Sequence, residues 1–166
     1  MAINDGQIQM AELAQKQAES ADVKELAKVL ANDHRKENAK VRTLKSKEKL
    51  ELKSNELSTE LSEREAQTMS ALRGKSGREF DRHYVEVAGV QMHQEALDII
   101  DRRLMPGIQS SAVKSAISDL RSTVADHHAK AESLLEKMAP KPAAAVEAPA
   151  SRSIQKGKKG GEARER

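Results

Sequence analysis

The chain has 166 residues, 33% of them charged and 1% aromatic, with no cysteine and a net charge of +3. That length allows one domain with a tail. The composition excludes disulfides, thiolate nucleophiles and cysteine-bound metals; too few β-branched and aromatic residues alternate to build a sheet, and no apolar run reaches the roughly 18 residues of a membrane span.

In chain order, the first predicted helix runs from about Asp5 to Glu19 with Asp5 as its N-cap. Ser20 to Asp22 interrupts it, and Asp22 starts a second helix over 22–52. A short segment, Ser58 to Arg73, holds a capping box at Ser62–Glu65, and Gly74, Ser76 and Gly77 form the next break. A third long helix over 78–104 stops at M-P-G-I, where Pro106 and Gly107 end it. The last helix covers about 110–138 and stops before Pro140. Ala, Leu, Glu, Lys and Gln dominate throughout and favour helix.

Apolar positions recur at alternating spacings of three and four along each long helix, which lets the helices pack at shallow angles round one core. The fold expected is all-α: an antiparallel four-helix bundle over residues 1–138, with an extra short helix in its crossover. Residues 139–166 carry +4 and leave −1 on the rest. This segment is rich in Pro, Ala and Gly and should be a disordered basic tail. Its K-G-K-K could bind polyanions weakly, though a solubilising tail is the plainer reading.

Polar residues interrupt the apolar seams. His34 and Glu37 fall on the second helix's seam, Glu86 and His93 on the third's, and His127 on the last's, in V-A-D-H-H-A-K-A. With the turns near Ser20 and Pro106 at one end of the bundle, a rise of about 1.5 Å per residue puts these five within about two helical turns of depth. Three imidazoles and two carboxylates in one core layer have the chemistry of a metal site for a divalent ion such as zinc, manganese or iron. The same residues could instead form a hydrogen-bonded polar layer, with His34 and Glu37 as a local helical pair. His83 and His128 lie off this layer. No nucleotide-binding, acyl-transfer or zinc-protease motif is present.

Four stretches carry a family resemblance: Q-M-A-E-L-A-Q-K-Q-A, D-V-K-E-L-A-K-V-L-A-N-D-H-R-K-E-N, F-D-R-H-Y-V-E followed by His93, and L-R-S-T-V-A-D-H-H-A-K-A. Over about residues 4–138 the chain resembles the bacterial "domain of unknown function 4142" family. That resemblance implies a ferritin-like bundle, and the family's recurrent histidines match Asp33–His34, His93 and His127. Ferritin-like di-iron sites use E-x-x-H, whereas this chain has H-x-x-E at His34–Glu37, so ferroxidase chemistry is not carried over. Family members usually carry an export signal, which implies the periplasm or envelope; M-A-I-N-D-G-Q-I-Q-M shows no such signal and, as a complete start, implies the cytoplasm. The role expected is non-enzymatic binding or scaffolding in the envelope or a stress response, with unidentified protein partners. The alternative is a metal-binding, redox-active bundle holding its ion through His34, Glu37, Glu86, His93 and His127.

Overall fold

The computed structural model describes residues 2–51 and 53–139, and among them there is no strand. Helix α1 (Ala2–Gln17) is followed by α2 (Ala21–Lys47), which returns along it: Glu12 on α1 pairs with Arg35 on α2 at 2.6 Å, and Asp5, nearer the start of α1, accepts from Asn38 Nδ2 at 2.7 Å. Helix α3 (Glu56–Arg73) lies against α1. Helix α4 is one rod of four consecutive segments: α-helical Gly77–His83, π-helical Tyr84–Gln91, α-helical Met92–Ile99 and π-helical Ile100–Leu104. A 3₁₀ turn at Met105–Gly107 leads to α5 (Ser111–Lys137), which runs back along α4. No described helix is long and apolar enough to cross a membrane.

The ends of these helices follow local chemistry. Asp5 lies inside α1 and bonds across to α2, so it is not that helix's cap. Helix α2 stops at Lys47 because the chain turns at Lys49, whose φ is +53°, and K-S-K-E-K supplies no apolar stripe to hold another turn. The predicted capping box at Ser62–Glu65 is replaced by one at Asn55 and Ser58, where Ser58 N donates to Asn55 Oδ1 and Asn55 N to Ser58 Oγ, both at 2.9 Å. Ser62 then falls one turn inside the helix, and Glu65 is buried.

The turns near Ser20 and Pro106 lie at opposite ends of the bundle. Ser20 N and Glu19 N donate to the buried Asp81 carboxylate near the start of α4, at 2.7 and 3.0 Å. Ser110, after the Pro106 turn, donates to Glu48 at the far end of α2. The reason is α3: it carries the chain back along the bundle, so α4 starts beside the Ser20 turn rather than at the other end.

Between α1 and α2 the core is small and aliphatic: Met10, Ala11, Ala14, Leu26, Ala27 and Leu30 are buried. Phe80 and Tyr84, whose parallel rings have centroids 6.3 Å apart, fill the space below the Ser20 turn with Leu72. The motif F-D-R-x-Y is therefore structural, its Phe and Tyr filling the core while its Asp holds the start of α2. The expected basic tail, from Pro140 on, lies outside the described residues.

Candidate metal centre

His34 on α2, His93 on α4 and His127 on α5 converge about halfway along the bundle, and all three are buried. Their ring centroids lie 5.2 Å (His93–His127), 5.3 Å (His34–His127) and 5.7 Å (His34–His93) apart. One nitrogen from each ring can be chosen so that all three atoms lie within 4.8 Å of one another.

Local structure sets the two closest rings. Ala88 and His93 are five residues apart across the end of the π-helical segment, and the His93 Nδ1–H donates to the Ala88 carbonyl at 2.9 Å. The helices themselves come close one turn away, because Gly89 has no side chain. A Cβ there would stand 2.8 Å from the Ala131 Cβ, nearer than two carbons approach. His127 sits four residues before Ala131 and His93 four after Gly89, so this contact sets how near the two rings come.

The hydrogen bonds fix the proton positions. Asp33 is held ionised below the usual carboxylate range, first by its hydrogen bond from Lys36 at 2.8 Å. It therefore accepts the Nε2–H of His127 at 3.3 Å. A neutral His127 then carries its lone pair on Nδ1, and a neutral His93 carries its own on Nε2. These two atoms face each other across 3.3 Å, with no proton between them. His34 adds two further nitrogens, both buried and both without a partner among the described residues. Unpaired polar atoms in a core cost about 1–3 kcal/mol each.

A proton is a poor way to fill this gap. Burial pushes His34 down to about 3 and His93 to about 4, each further lowered by neighbouring imidazoles, and burial lowers His127 as well. A divalent ion fits better. Nitrogens about 2.0–2.1 Å from a tetrahedral ion stand about 3.4 Å from one another, and the His93–His127 separation already meets that. Two of the three rings also have the acceptors that metal-bound histidines usually carry, a backbone carbonyl on His93 and a carboxylate on His127.

The carboxylates divide differently from the expectation. Glu37 is buried, but its carboxylate takes the Lys40 ammonium at 2.7 Å and lines a polar cleft between α2 and α5, together with Asp33 and His127. Glu86 does not join: it is half-buried at the edge of α4 and lies 3.8 Å from Arg82. The reason is the π-helical segment, which turns Val85, Ala88 and Gly89 inward in place of the α-helical seam through Glu86. The carboxylate that does reach the histidines is Asp33, whose only sequence signal was its place beside His34. His128 is turned to Glu132 at 3.3 Å.

The chain matches the family described as Domain of unknown function (DUF4142) over residues 1–134, and it belongs to that family. No curated protein and no solved structure matches it.

Proposed function

We propose that this protein binds a divalent transition-metal ion of the zinc class through His34, His93 and His127, with Asp33 orienting His127 from outside. The observation that carries this reading is His34: a buried imidazole with neither nitrogen paired, beside two histidine lone pairs turned toward each other. Three neutral nitrogens suit zinc, iron, copper or nickel better than manganese, which favours oxygen ligands. Such an ion would supply Lewis acidity at any position the protein leaves open. Glu86 is outside this set, and Glu37 contributes charge to the cleft at the entrance. Binding or carriage of the ion, rather than turnover, is the role proposed, and the family's usual export signal favours the periplasm or envelope as its setting.

The test is a melting curve of the metal-free full chain with and without zinc, with the bound metal counted by elemental analysis. One ion per chain and a clear rise in Tm are expected, about 2.7 kcal/mol of stabilisation at a hundredfold excess over Kd. His93→Ala and His127→Ala should each remove the rise. No bound ion and an unchanged Tm for the wild type would sink this reading in favour of a metal-free scaffold, whose histidines form a polar layer bridged by a doubly protonated His127.

A further inference from the structure

Beside the histidines, on the inner side of α2, lies a second feature, which shares His34 and His93 with the metal reading but extends beyond them. It is a chamber of about 240 Å³ with mostly aliphatic walls, including Leu61, Ile99, Ile100, Leu104, Leu120 and Val124. Its polar part is made by the buried Gln7, His34, Glu65 and His93, with Asn4 and the paired Arg64 and Glu95 also on its wall. The Glu65 carboxyl occupies space left by Gly6, where any Cβ would collide with it. So the carboxyl's place in the wall depends on a residue with no side chain.

Three of these polar groups, Gln7, Glu65 and His34, are poorly paired. Gln7 Nε2 reaches Glu65 Oε1 at 3.5 Å, the long limit of a hydrogen bond to oxygen, and Met92 Sδ, a weak acceptor, also at 3.5 Å. His34 has no partner for either nitrogen. No cation pairs with Glu65 among the described residues, and the adjacent Arg64 is taken by Glu95. A buried carboxyl without a cation keeps its proton, and burial pushes Glu65 up to about 8. Apart from the Arg64–Glu95 ion pair, whose two charges balance, the polar part of the chamber is therefore uncharged, and Gln7, His34 and Glu65 have hydrogen-bonding capacity to spare.

We propose that this chamber binds a small unbranched molecule whose aliphatic chain ends in an uncharged oxygen group, a hydroxyl or un-ionised carboxyl. The oxygen meets Gln7 and Glu65 and the chain lies along Ile99, Ile100 and Leu120. The volume sets the length. It exceeds the roughly 150 Å³ that holds benzene and falls short of the roughly 300 Å³ where drug-sized sites begin, so about six to eight carbons fit. An alkane would leave the polar groups as they are. An ammonium head would have to ionise Glu65, and a carboxylate head would bury a charge with no free cation beside it, since Arg64 is taken by Glu95. The site needs no metal.

The experiment is a titration of the metal-free full chain, labelled at its isoleucine methyls, with 1-hexanol, hexane and hexylammonium. Hexanol should shift Ile99 and Ile100 and bind about tenfold more tightly than hexane, the worth of one well-made hydrogen bond. Glu65→Leu should bring the two within about twofold of each other while leaving the zinc-induced rise in Tm intact. Ala96 also lines the chamber, and Ala96→Leu, which fills it, should weaken both. Equal binding of hexane and hexanol, tighter binding of hexylammonium than of hexanol, or shifts that avoid Ile99 and Ile100 would each overturn the proposal.

Discussion

The two halves of the bundle are built to different rules. Near the Ser20 turn the interior is close-packed: Ala14, Val23, Leu72, Phe80 and Tyr84 are all buried, and the one buried carboxylate there, Asp81, is spent on two backbone N–H groups. Half a bundle away, the same helices bury three histidines and two glutamates, leave His34 unpaired and open a cavity. An interior that only had to hold the fold together would not carry both. The contrast separates the part that makes the fold from the part that tolerates unpaired groups, which proteins keep where a ligand completes them.

The sharpest way to break the comparison is to damage the packed half. Phe80→Ala should cost about 3–5 kcal/mol by loss of buried area and the cavity left behind, measured by urea unfolding. The zinc-induced rise in Tm should survive in whatever remains folded, because Phe80 and Tyr84 stack on each other while His34, His93 and His127 pack among themselves; loss of the rise would mean the two halves are coupled. A smaller effect tests the other half from outside: Asp33→Asn should lower zinc affinity about 10–100-fold, the usual cost of removing such a partner, with little change in the metal-free Tm. Equal loss in both would make Asp33 a structural residue.

The most diagnostic effect is in pH. His34, His93 and His127 titrate lower folded than unfolded, where 6.5 is usual, so the unfolded chain binds more protons below that value. Their contribution is complete above pH 6.5 and is lost as pH falls toward about 4 and then 3. Glu65 is the reverse case: raised from 4.5 to about 8, it holds its proton longer in the folded chain, so its contribution is lost as pH rises from 4.5 to 8. The metal-free protein should be most stable near pH 6.5. Its Tm should fall more steeply on the acid side, where three groups act, than on the alkaline side, where one does. Glu65→Gln should flatten the alkaline arm and steepen the acid arm above about pH 4.5, as measured by melting across pH 4–8.

Much of the fold was legible because helix and turn chemistry is local. M-P-G-I, the break at Gly74–Gly77 and the three- and four-residue spacings placed every long helix to within a few residues. The site was legible only in part. His34, His93 and His127 lie near the bundle's middle, so they meet at one level whichever end the Pro106 turn occupies. Glu86 was misread because a regular α-helical seam was assumed where the rod is π-helical, and no residue in Y-V-E-V-A-G-V-Q announces that change. Asp33 reaches His127 across 94 positions of sequence, and Glu65 was hidden by a capping-box pattern that fits Ser62–Glu65 as well as the true one at Asn55–Ser58.

The contact between Gly89 and Ala131 has a consequence for how such a protein can change. It works as a spacer gauge: two residues that never touch an ion set the gap between the rings that would hold one. A methyl added at position 89 pushes the two helices apart, widening the bite of the site while every ligand stays in place. On the proposed metal reading, selectivity among ions of different radius would thus be retuned from one turn away, by two of the smallest residues in the chain.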